Sequence, residues 1–280
     1  MTSATANEAR QQLLRDGFCR FEQVLDADLL KRTRQVSDRL LDAASQEHLE
    51  EQKSTGSLIS VLEDPFFAEL IAAPAAREAL AALGFPDPKY AAGFVISKPG
   101  GSPPLFWHQD WWGWDEECSY TWAQPMQAFL MWYLVDTTTE NGCLRVLKGT
   151  HRKRHSMHDE VPDAHTAELR AVVDPDHPAY RAQPEEVDVP VNAGDLVIGD
   201  SRLLHSAHAN KTDQRRTVIT LWYYPAWDEL SEPIRARLSK DGMEDHWPPE
   251  AIERIGSLRP TYDGDAEDAN WNRIPGPRLK

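Results

Sequence analysis

The stretch Gly194-Asp195-Leu196-Val197-Ile198-Gly199-Asp200-Ser201-Arg202-Leu203-Leu204-His205-Ser206-Ala207-His208 opens on a turn signal and carries two short apolar runs, Leu196 to Ile198 and Leu203-Leu204. Its surroundings have the same form. Val187 to Val191 precedes it as a short strand, and Thr217 to Tyr224 follows as a longer one. Further back, Met126 to Val135 is a continuous apolar and aromatic segment, which suits a strand buried on both faces. Asn141-Gly142 is a hairpin-type turn ahead of Cys143-Leu144-Arg145-Val146-Leu147, and Phe94-Val95-Ile96 is a strand-like run stopped by Pro99-Gly100-Gly101. Short strands separated by turns predict a β-sandwich or barrel.

The first third reads differently. Glu8 to Arg15 has a helical pattern closed by Gly17. Asp26 is placed to cap a second helix, whose Leu29, Leu30, Val36, Leu40 and Leu41 form a stripe. Pro65 and Pro74 open two more candidates, the latter running to Leu83 before Gly84. No linker divides the chain. It is therefore expected to be one domain over residues 1–280, mainly β with helices: helical support over about 8–84, a β core over about 90–225, and C-terminal helices and tail over 226–280. The polar, Pro-dotted stretch from His155 to Pro184 is expected to be a long loop or lid. The tail after Gly256 is expected to wrap the surface.

Composition narrows the function. The 280 residues are 41% hydrophobic and carry a formal charge of −15, the wrong sign for neutralising phosphates or binding an anionic membrane surface. No nucleic-acid or membrane partner is expected. No apolar run approaches the ~18 residues of a membrane helix, and Met1 to Glu8 lacks the basic start and apolar stretch of a signal peptide. Cys19, Cys118 and Cys143 are an odd, sparse set that argues for a reducing compartment, so a cytoplasmic location is expected.

The chemistry gathers in three places. In Trp107-His108-Gln109-Asp110, the imidazole and the carboxylate are two residues apart and on a strand share a face, as two metal ligands would. A third ligand comes from the stretch quoted at the outset. Two His, one carboxylate and open positions is the donor set of non-haem Fe(II) oxygenases. Strand parity does not separate His205 from His208, but the spacing to Asn210-Lys211-Thr212 and Arg216 favours His205. Arg216 offers a planar fork for a carboxylate such as that of 2-oxoglutarate. His151, the run Arg152-Lys153-Arg154 and Cys143 read better as a loop histidine, a solvated patch and a packed small residue.

Beyond the triad, the chain carries Glu140-Asn141-Gly142-Cys143-Leu144-Arg145-Val146-Leu147-Lys148-Gly149-Thr150-His151 and the Asp16-Gly17-Phe18 start. With His205, Asn210-Lys211-Thr212 and Arg216, these resemble the phytanoyl-CoA hydroxylase-like family of Fe(II)/2-oxoglutarate-dependent dioxygenases, from about Gly17 to Pro225. The resemblance implies a double-stranded β-helix, or jelly roll, braced by N-terminal helices. It implies Fe(II) held by His108, Asp110 and His205, with 2-oxoglutarate and O2 as cosubstrates and succinate and CO2 as products. The cosubstrate pocket would include Arg216, Trp132, Phe94 and Gln109. Where some members have a Ser two residues after the distal His, this chain has Ala207, and Gln127 is the candidate to replace it as second anchor. Halogenating relatives lack the carboxylate that Asp110 provides, so the outcome implied is hydroxylation or desaturation of a small molecule. The alternatives are a cupin-like metal dioxygenase that does not use 2-oxoglutarate and a non-catalytic binding module on the same fold.

The aromatic run after the ligands is the chain's own. Trp111, Trp112 and Trp114 follow Asp110 so closely that some of them are expected to touch substrate. The sequence identifies neither the substrate nor the oligomeric state.

Overall fold

The computed structural model of the chain describes residues 3–240 and 246–280. Its strands are β1 (Phe18–Phe21), β2 (Ile59–Ser60), β3 (Lys89–Lys98), β4 (Ala128–Tyr133), β5 (Leu144–Val146), β6 (Val187–Val189), β7 (Leu196–Asp200), β8 (His205–Ala207) and β9 (Arg216–Tyr224). They form a six-stranded sheet, β1-β7-β4-β9-β3-β2, and a three-stranded sheet, β6-β5-β8. Every pairing is antiparallel. His108 extends the small sheet through an antiparallel bridge to His205. Two facing antiparallel sheets give the jelly-roll core.

Period-two alternation sorts the large sheet into two faces. Ala128, Leu130 and Trp132 of β4, Leu196 and Ile198 of β7, and Ile219, Leu221 and Tyr223 of β9 pack toward the helices, with Leu29, Phe67, Leu70, Ile71 and Leu80. Phe129, Met131 and Tyr133 turn the other way, toward Leu144, Val146 and Val189 of the small sheet. Both faces of β4 are covered, so all six of its residues are apolar and buried.

The helices begin where the sequence marks them. The first runs Ser3–Asp16 and ends at Gly17, whose φ of +90° suits glycine. A Cβ there would stand 2.7 Å from the Leu203 side chain. Asp26 caps Ala27–Asp42 by accepting from the amides of Asp28 and Leu29, and Pro74 opens Pro74–Ala82. Helix exceeds strand by residue count, 32% against 18%, so "mainly β" describes the core only. Among the described residues, no helix is long and apolar enough to cross a membrane.

Two expectations need correction. The stretch 155–184 is not a structureless loop. It carries the helices Met157–Glu160 and Ala167–Ala171 and buries Met157, Val161, Ala164, Leu169 and Tyr180 against Phe106, Trp107, Leu147 and Leu204. The C-terminal tail does more than cover the surface. Asn272 bridges to Gly113, which brings Trp271 and Arg273 to the wall of the central cavity.

Candidate active site

β3 and β9 point alternate side chains into the space between the sheets. From β9 come Arg216, Val218, Thr220, Trp222 and Tyr224, and from β3 come Phe94, Ile96 and Lys98. The resulting cavity of ≈ 410 Å³ lies in the size range of small-molecule sites. His108, Asp110 and His205 sit in its wall.

Hydrogen bonds fix these three side chains. His108 Nδ1 lies 3.0 Å from its acceptor, the Phe106 carbonyl, and His205 Nδ1 lies 2.9 Å from the Leu203 carbonyl. With Nδ1 spent as a donor, each imidazole keeps its lone pair on Nε2. His108 Nε2 is 3.6 Å from Asp110 Oδ1, and His205 Nε2 is 3.7 Å from Asp110 Oδ2. Two ligands that share one ion at ~2.1 Å stand roughly 3–4 Å apart, so each spacing is compatible with a metal between the pair. Burial, reinforced by His205, pushes the His108 pKa well below the usual histidine range, which keeps the ring neutral. Burial pushes Asp110 upward, but His205, His108, His165 and the Trp222 hydrogen bond together hold its pKa below the ordinary value. A neutral imidazole beside an ionised carboxylate is the protonation state a metal requires.

His165, which the sequence reading missed, is the third imidazole beside Asp110. Its Nε2 is 3.9 Å from Asp110 Oδ1 and could join His108 and Asp110 in a donor cluster. That nitrogen lies 3.0 Å from the Gln109 carbonyl, which can only accept, so it carries a proton. His205, whose Nε2 has no such carbonyl against it, is the better placed third donor. His208 is set apart on the outer face, with Nε2 against Asp188.

Trp222 supplies the other contact to the carboxylate, donating from Nε1 to Asp110 Oδ2 at 2.8 Å. Replacing it by Phe keeps the ring against Phe94 and removes only the donor. Metal affinity should then fall by about tenfold to a hundredfold, the usual cost of losing a hydrogen bond to a metal ligand. A competitive chelator titration measures it.

The deep end of the cavity is cationic. Arg216 and Lys98 are register partners across β3 and β9, and both are buried. Lys98 Nζ donates to the carbonyls of Ser54, at 2.6 Å, and Pro103. Burial, with help from Arg216 and Arg145, pushes its pKa well down. No acidic side chain pairs with Arg216 among the described residues, and its Nε has no partner. Gln127 Oε1 and Thr220 Oγ1, also in cavity-lining residues, are unpartnered too. A buried guanidinium without an anion calls for one from a ligand. Gly142, at φ +93°, lets the turn close behind this end; a Cβ there would stand 3.7 Å from Arg216 Nε and 3.0 Å from the His208 carbonyl.

The other expected residues divide. Phe94 and Gln127 line the cavity, but Gln127 precedes Ala128, the register partner of Tyr223, and so sits at the far end of β9 from Arg216, where it cannot be a second anchor beside that arginine. Trp132 does not: parity places it on the helix side of β4, and Met131 and Tyr133 take the lining positions. Gln109 points away from the cosubstrate end, between two ligands that point in, and donates to the Arg273 carbonyl. Of the three tryptophans, Trp112 alone lines the cavity, stacked on Trp271 with centroids 4.9 Å apart and planes at 3°. Trp111 donates from Nε1 to Ser119 Oγ, and both it and Trp114 are packed among Cys118, Met126, Trp227 and Ile234. Trp111→Ala and Trp114→Ala should each cost about 3–5 kcal/mol in denaturant unfolding, as buried aromatic truncations do. Trp112→Ala should instead raise the ratio of succinate to oxidised product, because a wall of the substrate space is lost.

Comparison with known proteins agrees with this architecture. A curated relative, phytanoyl-CoA dioxygenase 1 of Oryza sativa subsp. japonica, is 28% identical over 133 residues. The match covers 46% of this chain and spans about two fifths (41%) of that relative's length. Among solved structures, the non-heme alpha ketoglutarate dependent epimerase SnoN from nogalamycin biosynthesis aligns with a TM-score of 0.59 at 22% identity, covering 80% of this chain and 85% of its own. EctD from S. alaskensis, solved with 2-oxoglutarate and 5-hydroxyectoine, gives 0.59 at 19%, covering 82% and 78%. HygX from Streptomyces hygroscopicus, solved with nickel and 2-oxoglutarate, gives 0.57 at 17%, covering 78% and 86%. These neighbours share the fold. The model of the phytanoyl-CoA dioxygenase (PhyH) family matches residues 13–218, so the chain belongs to that family.

Proposed function

We propose that the protein is an Fe(II)- and 2-oxoglutarate-dependent oxygenase that hydroxylates a small molecule, with His108, Asp110 and His205 as its metal ligands and Arg216 as the anchor of the cosubstrate's distal carboxylate. One observation carries the reading: two imidazole Nε2 atoms flank one carboxylate, at 3.6 and 3.7 Å, in the same cavity as a buried arginine that lacks an anion. When bound, iron and 2-oxoglutarate together supply the oxidising chemistry, which is the cofactor's own. The chain's residues do the rest. Phe106 and Leu203 carbonyls fix the tautomers of the two imidazoles, and Trp222 orients the carboxylate. Arg216, with Lys98 and Tyr133 beside it, sets the direction in which a dicarboxylate enters. Met131, Ile96 and Val218 line the space around it.

Related folds catalyse other outcomes, since SnoN is an epimerase and SnoK a carbocyclase. Asp110 fills the position that a halide would need, which disfavours halogenation, and hydroxylation is proposed among the remaining outcomes. Three free, buried cysteines fit a reducing compartment, and the cytoplasm is the proposed location. Calorimetry tests the cosubstrate. 2-Oxoglutarate should bind at one site per chain, and only when Fe(II) is present under anaerobic conditions. A metal-loaded protein that ignores 2-oxoglutarate would favour a dioxygenase that does not use it.

A further inference from the structure

The cavity holds charge that neither the metal ligands nor Arg216 uses. Besides Arg216 and Lys98, its lining includes Arg170 and Arg273, and Asp110 is the one carboxylate among the lining residues. That is a cationic cavity in a chain of net charge −15. The inner site balances by itself: burial disfavours the charged form of Lys98, and a metal dication and Arg216 offset Asp110 and the 2-oxoglutarate dianion. Arg170 and Arg273 are left over.

Neither is neutralised by the protein. Arg170 lies in the last turn of Ala167–Ala171 and has no ion pair or side-chain hydrogen bond among the described residues. Arg273 donates from Nη1 to the backbone carbonyl of Asp110 at 3.2 Å, and its guanidinium carbon stands 5.2 Å from the Trp271 ring centre. Asp110 and the exposed Asp163 are the acids whose fields reach it, and neither forms an ion pair with it. The same lining carries the apolar side chains of Trp112, Trp271, Leu238 and Leu58. Planar guanidinium forks, one of them over a flat ring, suit an oxyanion carried on an apolar body.

We propose that the oxidised substrate is an organic anion, whose carboxylate or sulfonate is received by Arg170 and Arg273 while its apolar, ring-sized body lies along Trp112 and Trp271 toward the metal ligands. This rests on the reading of the inner site as a metal and 2-oxoglutarate site. It deepens that reading by assigning the substrate's charge.

The test uses full-length protein loaded anaerobically with Fe(II) and saturating 2-oxoglutarate, titrated by calorimetry with four probes of one shape: 3-phenylpropanoate, 2-phenylethanesulfonate, 3-phenylpropanamide and 3-phenylpropylamine. At least one of the two anions should bind about tenfold or more tightly than the amide, and the amine should bind weakest. The two anion arms separate carboxylate from sulfonate recognition. Arg170→Gln and Arg273→Gln should each remove most of the preference for the anion, and Arg170→Lys should restore part of it. Equal binding of amide and anion, tighter binding of the amine, or a preference unchanged in both glutamine variants would overturn the proposal. So would an anion that displaces 2-oxoglutarate, because it would be occupying the inner site. Fe(II)-dependent binding of 2-oxoglutarate is read first in the same cell. Its absence overturns the inner-site reading and this proposal together, whereas its presence with no anion preference overturns this proposal alone.

Discussion

His108→Ala, Asp110→Ala and His205→Ala should each abolish turnover and lower Fe(II) affinity by more than the ~10–100-fold cost of losing a mere supporting hydrogen bond. The reason is the count of donors. Three protein atoms face the site, and His165, the nearest substitute, has its adjacent nitrogen engaged with the Gln109 carbonyl. His208→Ala is the control. Its ring pairs with Asp188 on the outer face of the small sheet, so iron content and turnover should persist. Metal analysis after gel filtration, beside succinate release, checks all four variants. If His208→Ala lost iron and His205→Ala kept it, the distal ligand would be misassigned.

The second large effect belongs to Arg216. Its guanidinium is buried, charged and without an anion, so its partner must come from the ligand. Arg216→Lys keeps the charge but loses the planar fork, and a hydrogen bond to a charged group is worth ~1.5–3 kcal/mol. Affinity for 2-oxoglutarate should therefore fall about tenfold to a hundredfold, with Fe(II) binding retained. Arg216→Ala should lose more. An Arg216→Lys protein with an unchanged calorimetric Kd for 2-oxoglutarate would contradict the role.

Much of this site could be read in the sequence, and the rest was hidden for definable reasons. His108 and Asp110 are two residues apart on one face, and Arg216 follows His205 at a fixed spacing, so residue type and spacing identify them. Trp132 was misplaced because a strand buried on both faces has no polar alternation to reveal which side points inward. The tryptophans after Asp110 failed for a related reason: adjacent rings in irregular backbone carry no period. His165, Trp271 and Arg273 reach the cavity from segments 55 or more residues along the chain from Asp110, and only the folded tail brings the last two back. Lys98 did leave a signal. Phe94, Ile96 and Lys98 alternate on β3, and Val218, Thr220 and Trp222 alternate after Arg216 on β9, so the lining face follows once either anchor is fixed.

The most direct measurement is release of labelled CO2 from 2-oxoglutarate labelled at its first carbon, with and without Fe(II), which needs no knowledge of the substrate. Slow basal release is expected from the wild-type chain that depends on Fe(II), is matched by succinate one for one, and is absent from His108→Ala. A wild-type chain that retains Fe(II) yet releases no more label than His108→Ala would contradict that expectation.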